Sequence, residues 1–279
     1  MKPTWEGGEP IKNKSFGITG WVLVLIRGLA VGALVFGGLI ILLFLRLIEV
    51  PFFGLHRPFT PYLTQIVCRN SLRLIGITYL RQGSPMTQHG IVVANHSSWL
   101  DIFVLNAAKR VYFVSKSEVA RWPGIGWLAR ATGTVFIERD RKHARAQAEV
   151  FQTRLLVGHK LLFFPEGTST DGLRVLPFKS TLFAAIFTEN LRDRIWVQPV
   201  TVNYRSPKGC DAQFYGWWGD MSFGSHLLAT LATARQGAVE VIYHAPVQVG
   251  QFADRKALAA HVENAVRLAH AQTQAGLGL

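Results

Sequence analysis

From Gly28 to Leu45 the chain runs for eighteen residues without a charge, and across the wider stretch Trp21 to Ile48 only Arg27 and Arg46 interrupt it. A segment of that kind has few places to go. A bilayer core takes about 20 apolar residues as a helix, so this run reaches the lower edge of a span if it tilts or if its arginines stretch to the interface. Gly28, Gly32, Gly37 and Gly38 would weaken a helix buried in a soluble core, whereas glycine is tolerated in lipid or at a helix–helix contact. A signal peptide fits poorly, because the apolar block is long, begins well into the chain and has no small-residue cleavage pattern after it. Lys12 and Lys14 precede the run and Arg46 and Arg57 follow it. Charge asymmetry therefore does not fix a crossing, and a shallow, non-crossing helical hairpin is equally allowed. Pro51, Pro58 and Pro61 are expected to break the chain before a second helix over Tyr62 to Ile77, lying beside the first. Residues 1–80 read as a membrane-anchoring helical segment, and 81–279 as the body of the protein.

Charge and hydropathy narrow the partners. Thirty Lys and Arg against seventeen Asp and Glu leave a net charge of +13, which suits nucleic acid, an anionic membrane surface or an acidic carrier or substrate. A hydrophobic content of 49% with mean hydropathy +0.21 is high for a basic nucleic-acid binder and natural for a protein held at a bilayer. Nucleic acid is set aside on that ground. Cys68 and Cys210 are far apart in sequence and form no Cys-x-x-Cys pair, which fits reduced thiols in a cytoplasmic compartment. The expected location is a membrane, with the body on its cytoplasmic side.

The body alternates short apolar runs with helical stretches. Strands are expected at Ile91–Ala94, Val111–Val114, Thr134–Ile137, Leu161–Phe164, Val197–Val202 and Val239–Tyr243; helices at Ile102–Ala108, Arg141–Val157, Phe178–Thr188 and Asp254–Ala271. Such alternation implies an α/β fold, a mostly parallel sheet flanked by helices on both faces, in which function gathers at strand ends. Phe214-Tyr215-Gly216-Trp217-Trp218 reads either as an aromatic group at the lipid headgroups or as a packed lid over the sheet edge.

Three strand ends carry polar cargo. The first is Asn95, His96 and Asp101; the second is Glu138 and Arg139, joined by Lys116; the third is Phe164-Pro165-Glu166-Gly167-Thr168-Ser169, followed by Lys179. Ser97 or Ser98 can cap the helix after the first, with Ser98 and Asp101 spaced as a capping box. The functional alternative has Asp101 accept a hydrogen bond from one ring nitrogen of His96 and leave the other free as a base. A spacing of five does not put both side chains on one helical face, so His96 must lie in the loop with Asp101 reaching back to it. Gly167 lets backbone N–H groups approach a ligand, and Lys116, Arg139 and Lys179 offer positive charge to an anionic headgroup. Taken alone, Arg139 and its basic neighbours would be a solvated surface.

Together these residues resemble a known family. Ile91 to Tyr204 is similar to the glycerolipid (lysophospholipid) acyltransferases, the group that includes the lysophosphatidic acid acyltransferases. Their Asn-His, four residues and Asp is seen as Asn95, His96 and Asp101. Their glycine, short strand and acid-Arg is matched by Gly133, Phe136, Ile137, Glu138 and Arg139. Their Phe-Pro-Glu-Gly-Thr is intact as Phe164 to Thr168, and their proline-containing apolar block matches Val197, Pro199 and Val200. The resemblance implies acyl transfer from a thioester to a lipid hydroxyl, with His96 as base oriented by Asp101. Glu166, Gly167 and Thr168, with Arg139 and Lys116, would hold the lysolipid headgroup. The co-substrate would be an acyl carrier protein or coenzyme A thioester, with no further cofactor and no metal. Many members continue the third block with Arg-Ser, where this chain has Ser169-Thr170-Asp171-Gly172, and Thr181 replaces a later glycine. These departures look more like the bacterial branch that acylates lyso-ornithine lipid than like a strict 1-acylglycerol-3-phosphate acyltransferase, and one site could serve both lipids.

Three rivals are weaker. A serine hydrolase built on Ser97 or Ser98 lacks a Gly-x-Ser-x-Gly elbow. A metal site from His96, Asp101 and Glu166 lacks a second histidine at a ligand spacing. A non-catalytic basic membrane-binding protein accounts for charge and apolar segment but not for polar residues gathered at strand ends.

Overall fold

The computed structural model describes Trp5, Gly7 and residues 16–138 and 144–276. Two helices lead: α1 (Ile18–Phe53) and α2 (Thr60–Ile75). The body follows as β1 (Thr78–Gln82), β2 (Gly90–Ala94), α3 (Asp101–Ala108), β3 (Tyr112–Lys116), α4 (Ile125–Thr132), β4 (Val135–Ile137), α5 (Ala144–Leu156), β5 (Leu161–Phe163), α6 (Glu189–Arg192), β6 (Trp196–Arg205), α7 (Phe223–Ala232), β7 (Ala238–Tyr243), β8 (Val247–Gln248) and α8 (Arg255–Gly276).

The strands form one sheet in the order β1-β7-β6-β2-β5-β3-β4, with β8 on the free part of β6. From β6 to β4 every neighbour is parallel; β7 and β8 run antiparallel to β6, and β1 is parallel to β7. The apolar runs explain why the centre is covered twice. Val92, Ala94, Leu162, Val200 and Val202 belong to one core layer with residues of α2, α3 and α7, whereas Ile91, Val93, Leu161, Phe163 and Val197 belong to another with α5 and α8. Alternate residues of a strand thus enter opposite layers, as a sheet buried on both faces requires.

All six expected strands form, and β1 and β8 are additional; β1 lies at the sheet edge, largely exposed, and straddles residue 80. Two expected elements differ. Pro51 does not break α1 but sits in its last turn, where a proline removes only one ladder bond before Gly54 ends the helix. Phe178–Thr188 is not an α-helix: Ser180–Ile186 is a 3-10 turn, entered by a backbone whose Phe178 N–H donates to Glu263 (2.8 Å) and whose Lys179 N–H donates to Pro165 (2.9 Å). Of the aromatic cluster, Tyr215 and Trp218 are buried in the body, so the packed reading holds for those two.

α1 is 36 residues long, and Ile18, Leu25, Leu29, Phe36, Leu43, Phe44, Leu47 and Phe52 lie exposed along it. Yet it is fixed to the body over much of its length. Arg27 donates to the carbonyls of Leu231 (3.0 Å), Thr233 (2.6 Å) and Ala234 (3.1 Å), in and just past the last turn of α7. At Gly38 the approach is so close that a Cβ would fall 2.6 Å from Val67 of α2, which explains one of the four glycines; Gly32 and Gly37 face open space. The buried Glu49 carboxylate accepts from the Phe59 (2.7 Å) and Thr60 (2.8 Å) N–H groups and the Thr60 hydroxyl (2.8 Å), capping α2 from another helix, with Arg46 at 3.0 Å. Arg57 and Arg69, from the loop before α2 and from α2 itself, reach Ala131 at the end of α4 (2.8 Å) and Ala107 at the end of α3 (3.0 Å). Cations thus meet the negative ends of three body helices. Glu49→Ala strands the buried Thr60 N–H and the partly buried Phe59 N–H and is expected to cost about 3 kcal/mol, read as a lower urea midpoint at unchanged slope.

Candidate active site

β2 ends at Ala94, and the next six residues, 95–100, form a tight loop before α3. Asn95 continues the sheet with its side chain: Nδ2 donates to the Val202 carbonyl (2.9 Å), and Oδ1 accepts from the Val202 N–H (2.8 Å). That anchors the loop and turns His96 outward, with its side chain one-fifth exposed. Asp101, the first residue of α3, is buried. Its Oδ2 lies 2.7 Å from His96 Nδ1 and also accepts from the N–H groups of Ser97 (2.9 Å) and Ser98 (3.0 Å). The capping reading is therefore reversed: Asp101 gathers the loop's N–H groups, and the hydroxyls of Ser97 and Ser98 are buried without a partner among the described residues. A carboxylate at Nδ1 favours the tautomer with its proton there, so Nε2 presents a lone pair. No described residue bonds Nε2. Phe164 stacks on the imidazole at 4.0 Å between ring centroids and 8° between planes, which leaves the ring little freedom to tilt.

The third strand end packs beneath this loop. Glu166 is not open to a headgroup; it is buried, with Oε1 accepting from the His96 N–H (2.7 Å) and Oε2 from the Leu176 N–H (2.7 Å). Gly167 adopts φ +74°, and a Cβ there would sit 2.7 Å from Lys179 Nζ, so the glycine lets that amine lie against the turn. Thr168 beside it is half-buried. Thr170 donates its N–H to the His96 carbonyl (3.0 Å), and Asp171 is buried and paired with Arg174 (2.9 Å). The segment that departs from the usual Arg-Ser is thus turned inward to support the histidine loop. Lys116 ends β3 opposite Ile137 of β4, so it and Glu138 lie at the same edge of the sheet as His96. Arg139 falls outside the described residues.

Sequence reasoning missed Tyr204, whose hydroxyl donates to Asp101 Oδ1 at 2.7 Å. Its signal was present: Val200, Val202 and Tyr204 enter one core layer, and a buried tyrosine hydroxyl needs a partner.

Burial pushes the Glu166 carboxyl up to about 8, against the opposing pull of its two N–H donors. Between 4.5 and about 8 the folded protein keeps a proton that the unfolded chain has released, so this group's stabilising contribution is complete below 4.5 and is lost as pH rises through about 8. Glu166→Gln removes the titration. Thermal unfolding in detergent is expected to show the wild-type Tm falling relative to the variant between about pH 5 and pH 9; a constant difference across that range would refute the assignment.

The acyltransferase family profile matches residues 71–203, the span from α2 to β6 that contains the histidine loop, the Glu166 turn and the central strands. The chain belongs to the acyltransferase family and is a transferase. It is 54% identical over 266 residues to the lyso-ornithine lipid O-acyltransferase of Rhodobacter capsulatus, covering 95% of this chain and 96% of that one. A shorter match, 39% identical over 112 residues, is to the 1-acyl-sn-glycerol-3-phosphate acyltransferase of Neisseria gonorrhoeae, covering 37% of this chain and 42% of that one. The fold is shared with the crystal structure of the 1-acyl-sn-glycerophosphate acyltransferase from Thermotoga maritima, at TM-score 0.65 and 24% identity, over 92% of this chain and 97% of that one.

Proposed function

We propose that the protein is a lysolipid O-acyltransferase whose acceptor is lyso-ornithine lipid and whose donor is an acyl carrier protein or coenzyme A thioester. The observation that carries the acceptor is the 54% identity, over nearly the whole of both chains, to a protein bearing that name. His96 acts as general base. With Nδ1 bonded to Asp101, Nε2 takes the proton of the lysolipid hydroxyl while its oxygen attacks the thioester carbonyl. The tetrahedral intermediate expels the thiolate, the new ester forms, and the imidazolium returns its proton to sulfur. Acyl transfer is direct, with no acyl-enzyme. The second strand end, with Lys116 and Arg139, and the Gly167–Thr168 turn hold the acceptor headgroup; Glu166 serves by fixing the His96 backbone.

We also place the enzyme on one leaflet, at the cytoplasmic face of the inner membrane. A helix of 36 residues is about 54 Å long, well beyond a hydrocarbon core of about 30 Å. Bonded to the end of α7 near one end and capping α2 near the other, α1 could not cross without drawing α7 into lipid. It lies along the surface with its exposed apolar side in the acyl chains.

The test is acyl transfer by purified protein in detergent from labelled acyl carrier protein and from labelled acyl-coenzyme A, with lyso-ornithine lipid and 1-acyl-sn-glycerol-3-phosphate offered side by side and His96→Ala as the blank. Product from lyso-ornithine lipid is expected. Product from the phosphate lipid alone would overturn the acceptor assignment, and none from either would overturn the function.

A further inference from the structure

We infer that Tyr204 is a positioning residue of the acyl-transfer site, whose hydroxyl fixes the Asp101 carboxylate and thereby sets how firmly His96 holds the proton it takes. This rests on the reading of His96 as the base. β6 outlasts its neighbour β2: their pairing stops at Ala94 and Val200, Asn95 takes over at Val202, and Tyr204 is the next residue on the same side of the strand. That extra length carries the phenol beneath the start of α3. The two carboxylate oxygens of Asp101 then divide the work. Oδ2 serves the histidine loop, bonding His96 Nδ1 and the N–H groups of Ser97 and Ser98, while Oδ1 accepts from Tyr204 at 2.7 Å and from no other described residue.

Tyr204 has nowhere else to go. It is buried, and its ring lies 5.4 Å from that of Tyr215, which is itself tied to Gln236 (2.7 Å) and to the Gly237 N–H (2.9 Å). The other titratable groups facing this centre are Glu166 on the His96 N–H, and Tyr79 and Tyr215 beside Tyr204. Burial and the Asp101 charge push the Tyr204 hydroxyl well above its ordinary value, so it stays protonated and acts as a fixed donor that carries no proton of its own to the reaction.

A hydrogen bond into one carboxylate oxygen draws charge from the other. Without it, Asp101 would attract an imidazolium more strongly and would be free to rotate about its side-chain torsion. Tyr204→Phe keeps the ring and removes the donor. The expected result is a fall in kcat of about tenfold with KM for acceptor and donor within about twofold, and an acid limb of the kcat profile displaced to higher pH by about half a unit or more. Tyr215→Phe is the matched control. It removes a buried tyrosine hydroxyl that does not touch Asp101, so a comparable loss of Tm with an unmoved pH limb is expected from it.

The His96 ring can also be titrated directly by nitrogen-15 NMR in detergent, which needs no substrate; Tyr204→Phe is expected to move its midpoint upward. If Tyr204→Phe moves the midpoint as described but the wild type transfers no acyl group, the proposed function fails while the linkage stands. If Tyr204→Phe lowers Tm and leaves both midpoint and pH limb where they were, Tyr204 is only a core residue and the inference is overturned. Should that variant not fold, 3-fluorotyrosine at position 204 keeps the hydroxyl and strengthens it as a donor. The midpoint should then move downward, and an unchanged or raised midpoint overturns the inference equally.

Discussion

His96→Ala is expected to lower kcat by about 10³-fold or more while leaving the fold intact, because a positioned base supplies about 10²–10⁴ of the rate and no described residue stands ready to replace it at the same point. The magnitude depends on what the alanine leaves behind. The loop is held by main-chain atoms: Glu166 accepts from the residue 96 N–H, Thr170 donates to its carbonyl, and Asp101 keeps the Ser97 and Ser98 N–H groups. None of these needs the imidazole. The side chain's own contacts are the Asp101 bond and the stack on Phe164, so truncation opens a partly exposed gap rather than a core cavity, and Tm should stay close to that of the parent. Asp101→Asn is the instructive companion. An amide turned to accept from the loop N–H groups must point its NH₂ at the Tyr204 hydroxyl, so that variant should lose both activity and Tm. Single-turnover assays with labelled donor separate the two. A His96→Ala protein that keeps more than about a tenth of wild-type kcat would move the base elsewhere and remove the mechanism proposed for this site.

Much of that geometry was legible in order and spacing. The four-residue apolar runs Ile91–Ala94, stopping at Asn95, and Leu161–Phe164, stopping at Pro165, mark two central strands, because a sheet covered on both faces favours uninterrupted apolar sequence. The five-residue gap between His96 and Asp101 already required a loop and a backward reach, and both are present. What was hidden was long-range. Tyr204 lies 103 residues from Asp101, and only the run-on of β6 beyond β2 brings them together. The family resemblance implies Glu166 as a headgroup ligand, yet its two oxygens meet N–H groups from Leu176, ten residues on, and from His96, seventy residues back. The edge strand β1 escaped notice since its largely exposed Thr-Tyr-Leu-Arg-Gln has no apolar face to announce it. In the sequence, Arg27 and Arg57 are only charges beside an apolar run, and Arg69 carries no signal at all. Their partners, the carbonyl ends of α7, α4 and α3, exist only once the body has folded.

Those arginines set the second large expectation: a chain beginning at Leu55, without α1, should neither unfold cooperatively nor transfer acyl groups. Were residues 1–80 only an anchor, shortening them would free a soluble enzyme. The contacts argue the reverse. Without Arg27 the carbonyls in and just past the last turn of α7 lose three charge-assisted bonds, and without Glu49 the start of α2 loses its cap. Val24 and Val31 leave the layer that contains Val200, Val202 and Tyr204, and Gly38 no longer covers Val67. α2 then presents Val67 to water in addition to Ile66 and Leu74, which are already exposed. Its own packing on α3, the helix that begins with Asp101, is the link through which this damage reaches the site. The measurement is chemical denaturation of the shortened chain beside the full one in the same detergent, followed by an assay on a short-chain acceptor that needs no bilayer. A cooperative transition with a similar midpoint and full activity on that acceptor would make the helix a dispensable anchor. Loss of both, with the full chain active in the same micelles, would make it part of the catalytic body.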